Sequence, residues 1–143
     1  MTLRAAGIGL LAAFALNLAW ENAQAFLFAG YAGPLRHFWS CFVGTLGDLV
    51  IVAAIYAAVA LLWRDPAWYR RMRLGQVACS VALGIAIAVA IEARALASGR
   101  WAYDGMPLVP LTEIGLLPVL QMMILPPTVF ALMGGGEGGR RPR

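Results

Sequence analysis

The chain contains no lysine, one histidine (His37), two cysteines (Cys41 and Cys79), and charge on only 13% of its 143 residues. A soluble domain carries charge on about a quarter of its positions, and a disordered chain carries more, so neither class fits. The single histidine leaves no helical ExxH pair, which removes the usual zinc and di-iron centres and gives an expectation of no metal. The two cysteines fall in different apolar runs, near opposite faces of a bilayer. A disulfide needs Cα atoms within about 7 Å, so both read as buried, unpaired small side chains. Nucleophile elbow, P-loop and dinucleotide fingerprint are all missing, and which cofactor, if any, the chain uses is unknown from its sequence.

What the chain has instead is apolar length, since 62% of residues are hydrophobic. Four runs, Ala5 to Phe28, Phe38 to Trp63, Gly75 to Ala97 and Met106 to Met133, each reach the roughly 20 residues that cross a hydrocarbon core. The expected fold is therefore all-α: an integral membrane bundle of four transmembrane helices over residues 1–133, then a basic, glycine-rich flexible tail over 134–143. The first run is expected to be retained and not cleaved as a signal peptide, because Asn17, Trp20, Glu21, Asn22 and Gln24 occupy its second half without a clear small-residue cleavage site. Pro110, Pro118, Pro126 and Pro127 predict that the fourth helix is kinked or starts late. Gly84 with Ala88, and Ala82 with Ala86 and Ala90, have the small-residue spacing of close helix contacts. Trp63, Trp68 and Tyr69 suit a membrane interface.

The net charge of +4 comes from 11 arginines and 7 acids, and its meaning is positional. Arg4, the connection carrying Arg64, Arg70, Arg71 and Arg73, and the tail arginines 140, 141 and 143 share one side. Only Arg36 and Arg100 fall on the other, with Arg94 inside the third helix. The positive-inside rule predicts both termini in the cytoplasm of a bacterial inner membrane. A basic cluster between two apolar runs reads as a membrane-surface segment, so membrane lipids are the expected partners and nucleic acid is not.

The acids carry the functional signal. Asp65, Asp104 and Glu137 lie in connections or the tail, which leaves Glu21, Asp48, Glu92 and Glu113, one in each predicted helix. A carboxylate at mid-bilayer costs roughly 2.5–3.5 kcal/mol on insertion scales. Four of them demand partners, protons or a polar cavity. At 1.5 Å per residue all four fall roughly 8–15 Å below the outer boundary, in one layer. Asn17, Glu21 and Gln24 share a helix face, as do Cys41, Thr45 and Asp48. Trp20, Arg94, Trp101, Tyr103 and Gln121, with Asn17, are the candidate substrate-binding residues around catalytic Glu92, Glu113, Glu21 and Asp48, and His37 and Arg94 could reach in from outside.

Paired carboxyls, one neutral and one ionised, can protonate a double bond or an epoxide. The leading expectation is acid/base chemistry on, or binding of, a hydrophobic isoprenoid or lipid. Two alternatives use the same residues. One is a proton- or cation-coupled small transporter, which at this size would work as a homodimer. The other is a structural membrane subunit in which the acids only glue helices together.

The run Glu92, Gly99, Arg100, Trp101, Tyr103, Met106, Pro107 resembles the acid-then-W-x-Y segments of the lycopene cyclase domain and related carotenoid hydratases. The chain is also similar to small bacterial multi-pass membrane proteins at Trp20–Glu21, Gly47–Asp48, Glu92, Gly99–Tyr103 and Pro118–Gln121. The cyclase resemblance implies a carbocation mechanism, in which Glu92 or Glu113 donates the proton and Trp101 or Tyr103 stabilises positive charge through its ring face. The paired acids that follow proline in those cyclases are missing; Glu113 and Pro118 are their nearest counterpart.

Overall fold

The structure is a computed structural model that describes residues 1–135, and it is all-α. Its four long helices are α1 (Leu3–Gln24), α2 (Pro34–Trp63), α3 (Leu74–Ala97) and α4 (Leu116–Gly135). Short 3-10 turns at Ala25–Leu27 and Trp68–Arg71 follow α1 and precede α3. All four helices are long and apolar enough to cross a membrane, which is compatible with a multi-pass membrane protein. The tail residues 136–143 lie outside the described residues, and Gly134 and Gly135, expected in that tail, are the last residues of α4.

Local chemistry sets the helix ends. Thr2 caps α1 by accepting from the Ala5 N–H at 3.2 Å, as a hydroxyl at an N-cap does. Pro34 opens α2, where its missing N–H costs nothing. Arg64 closes that helix in the left-handed region (φ 51°) ahead of Asp65 and Pro66. Gln76 Oε1 accepts from Arg73 N at 2.9 Å at the start of α3.

The fourth helix does start late. Residues 106–115, expected inside it, instead form a short hairpin held by Val109 N to Ile114 O (2.8 Å) and Leu116 N to Pro107 O (2.7 Å). Pro107 and Pro110 cannot donate into a helix ladder, and Leu111 between them and Thr112 takes a left-handed turn conformation (φ 64°). Glu113 is therefore on a loop and not within the fourth helix.

The helices form a ring in which α1 packs on α2 and α4, while α3 packs chiefly on α4. On α3 the buried face is Gln76, Ser80, Gly84, Ala88 and Glu92, one residue per turn. Gly84 meets the Met122 carbonyl so closely that a Cβ there would collide with it. That carbonyl is the one whose helical donor Pro126 cannot supply, four residues on. Ala82, Ala86 and Ala90, the second expected contact stripe, are exposed on the opposite face.

Two apolar clusters fill the ring. The one at the arginine-rich end joins Val52, Ile55, Val59, Val129, Phe130 and Met133 to Trp68 and Tyr69. The last two were expected at an interface; both are buried, and Trp68 meets Phe130 edge-on at 5.0 Å. The turn before α3 folds back under the bundle because these rings bury large apolar areas there. The second cluster, of Ala88, Ile114, Val119 and Met122, lies toward the other end, beneath the 98–115 connection.

Candidate functional site: a carboxamide and carboxyl layer

A polar network joins α1, α2 and α4. Its hub is Gln121 on α4, 2% exposed. The Gln121 Nε2 donates to Asn17 Oδ1 at 3.0 Å and to Asp48 Oδ2 at 2.9 Å, and its Oε1 accepts from Gln24 Nε2 at 3.1 Å. The second Gln24 hydrogen goes to Glu21 Oε1 at 3.0 Å. The network thus ties α1, α2 and α4 with Asn17, Gln24 and Gln121 all buried. Asn17 is itself anchored by donating to Ala13 O at 2.8 Å. Glu21 and Asp48 are half-buried. The Glu21 carboxyl rests against Gly44 of α2, where a Cβ would lie 3.2 Å from Oε2, and the Cys41 thiol donates to the Glu21 carbonyl at 3.6 Å.

Glu92 on α3 forms a second centre. It is buried, and Trp101 Nε1 donates to its Oε2 at 3.2 Å while the Tyr103 hydroxyl donates to the same oxygen. Tyr103 in turn accepts from Gly115 N at 2.9 Å. A side chain at 115 would block that approach, since a Cβ would lie 2.8 Å from the Tyr103 oxygen. Burial pushes the Tyr103 hydroxyl well above the ordinary tyrosine range, and the hydrogen bond it gives Glu92 adds to this. Phe28 packs edge-on against both rings, at 6.3 Å from Trp101 and 5.6 Å from Tyr103. The backbone fixes this cover: Ala29 N donates to Ala102 O at 2.9 Å and Asp104 N to Leu27 O at 2.7 Å.

The expected site residues divide accordingly. Glu21, Asp48, Asn17 and Gln121 meet in one network, and Glu92, Trp101 and Tyr103 in the other. Glu92 contributes to the electrostatic environment of Glu21, so the centres are neighbours. Glu113 does not join: it is exposed on the hairpin, held out by the proline-rich turn that delays α4. Arg94 is exposed on α3 and His37 packs its ring at a tilt against Tyr31, 5.3 Å between centroids, so neither enters the layer. Trp20 is half-buried, and its Nε1 has no partner among the described residues, as is true of Gln24 Oε1. Gln24 and Thr45 were placed on the right faces by spacing; Phe28 and Gly115 carried no sequence signal. Among the described residues, no group of three or more His, Cys, Asp or Glu side chains is placed to hold a metal ion.

No protein-family model, curated protein or solved structure matches the chain.

Proposed function

We propose that the protein is a multi-pass bacterial inner-membrane protein that binds a hydrophobic isoprenoid or lipid at the Glu92 centre and does acid/base chemistry on it. The observation that carries this reading is the convergence of Tyr103 and Trp101 on one oxygen of Glu92. A carboxyl held between a tyrosine hydroxyl and an indole N–H is oriented, and the half-buried rings of Phe28, Trp101 and Tyr103 give an apolar molecule somewhere to lie beside it. Glu92 is the proton donor in this reading. Tyr103 keeps its own proton and positions the carboxyl, and the ring faces favour a developing positive charge. This is the arrangement that the resemblance to lycopene cyclases and carotenoid hydratases leads one to expect, with Glu113 removed from the acid pair. The arginine imbalance supports cytoplasmic termini, which puts the Glu92 centre in the outer half.

A structural role is the second reading, favoured by the Gln121 hub, because its hydrogen bonds join three helices and such bonds hold membrane bundles together.

The test is Glu92→Gln, which keeps size and hydrogen bonding but cannot transfer a proton. Lipid extracts of the purified protein identify what it carries, and conversion of that lipid is followed in vesicles. Loss of conversion with an unchanged melting temperature supports the acid. Full activity in the variant rejects it, and loss of folding supports the structural reading.

A further inference from the structure

The two ends of the bundle differ in charge. Ala5, Val59, Trp68, Tyr69 and Met133 share one apolar cluster, so the start of α1, the end of α2, the turn before α3 and the end of α4 meet at one end. Among the described residues, that end carries Arg4, Arg64, Arg70, Arg71 and Arg73 against a single acid, Asp65. Asp65 Oδ1 accepts from Ala67 N at 2.8 Å, within its own turn. The other end balances Arg36 and Arg100 with Asp104 and Glu113.

Two of these arginines flank a direct helix contact. Gly75 on α3 packs against Trp63 on α2, where a Cβ would lie 3.5 Å from the indole Cζ2. Arg64 is the next residue after Trp63, and Arg73 stands two residues before Gly75. Both are fixed by caps: Arg64 ends α2 in the left-handed conformation, and Arg73 opens α3 with its N–H donating to Gln76 Oε1 at 2.9 Å. Both are exposed, as is Arg71, while Arg70 lies over the Tyr69 ring, 6.0 Å from its centroid. Helices in contact run about 8–10 Å apart, a gap that two arginine side chains can close on one anion. The guanidinium fork fits a phosphate better than any other common anion-binding side chain does.

The same two helix ends are apolar and bare. Leu61, Leu62 and Trp63 on α2 and Leu74 on α3 are all exposed, so hydrocarbon surface adjoins Arg64 and Arg73 on both helices. A soluble anion or an acidic protein would use the arginines and leave those leucines uncovered. A phospholipid uses both, and a tryptophan beside the basic residues suits the level where headgroup meets acyl chain.

We propose that the Trp63–Gly75 contact is a binding site for one anionic phospholipid. Its phosphate lies between Arg64 and Arg73, with Arg71 adding charge, and its acyl chains run along Leu62 and Leu74. The inference rests on the multi-pass membrane reading but not on Glu92 or on the direction of insertion, and Glu92→Gln is expected to leave the binding intact.

The experiment titrates the delipidated full chain in detergent micelles and counts bound lipid by native mass spectrometry. The probes are phosphatidylglycerol, phosphatidylcholine with the same acyl chains, and the soluble headgroup glycerophosphoglycerol. Micelles remove the direction of insertion, so arginines that serve topology alone would give no preference. One phosphatidylglycerol is expected to bind at least about tenfold more tightly than either other probe. Arg64→Gln combined with Arg73→Gln is expected to weaken it by at least about tenfold, with folding checked by circular dichroism. Arg36→Gln combined with Arg100→Gln removes the same charge from the other end and is expected to leave binding unchanged. Leu74→Asn, which keeps every arginine, is expected to weaken it. Equal affinity for phosphatidylcholine or for the bare headgroup overturns the proposal without any variant. So does unchanged binding in the folded Arg64 and Arg73 variant or in Leu74→Asn, and so does an equal loss in the two double variants, which would mean that net charge and not this contact attracts the lipid.

Discussion

Gln121 on α4 and Asp48 on α2 are joined by a 2.9 Å hydrogen bond, although these two helices barely touch elsewhere. The bond crosses the ring, and Gln121 makes it while also engaging Asn17 and Gln24 on α1. Gln121→Leu removes all three bonds together. At about 0.6 kcal/mol for an average interhelical hydrogen bond in a membrane protein, the loss should be about 2 kcal/mol. Unfolding in mixed micelles with increasing SDS would measure it. An effect no larger than that of a lipid-facing substitution such as Val50→Ala would mean that the hub contributes nothing to the fold.

The outline of this network was legible because helical spacing brings Asn17, Glu21 and Gln24 to one face and a membrane makes every acid conspicuous. Four long apolar helices, their order and the late start of α4 could likewise be read from apolar runs and prolines. Glu113 could not be placed, because apolarity alone does not say whether Leu108, Val109 and Leu111 continue a helix or form a turn; Pro107 and Pro110 decided it. Trp68 and Tyr69 misled for a related reason. An aromatic near a span end has the same sequence signature whether it lies at headgroups or folds back under the bundle. Phe28 and Gly115 became part of the Glu92 centre only through tertiary contacts that no local pattern encodes.

Gly84 and Ala82 offer a paired test of the α3 face. Gly84→Ala puts a methyl into the Met122 carbonyl, and backbone cannot move aside as a flexible side chain can. Overpacking of this kind costs about 1–3 kcal/mol. Ala82→Val adds more volume but on the exposed side, where changes fall within about 0.5 kcal/mol. Thermal unfolding in detergent should rank them in that order. The reverse ranking would mean that α3 turns its other face to α4.

Orientation can be tested chemically. With Cys41 and Cys79 replaced by alanine, a single cysteine at position 71 should be shielded from a membrane-impermeant maleimide in intact cells, and one at position 33 should react. Labelling at 71 with protection at 33 would invert the arginine argument and move the Glu92 centre to the cytoplasmic half.

Tyr103 makes a prediction in the alkaline range. Its hydroxyl is pushed up by burial and by donating to Glu92, so the folded protein holds this proton more tightly than the unfolded chain does. For a group whose folded value is raised, the stabilisation is fully present below the unfolded value, about 10 for tyrosine, and is lost as pH rises toward the folded value. The wild-type melting temperature should therefore fall with a component that begins above about pH 10. Tyr103→Phe removes that component. It also removes the bonds to Glu92 and Gly115, so the variant should start from a lower melting temperature at neutral pH and approach the wild type as pH rises. Parallel curves for the two proteins from neutral to strongly alkaline pH would show that Tyr103 does not hold its proton against Glu92. The positioning role assigned to Tyr103 would then have to pass to Trp101, whose indole N–H does not titrate in this range.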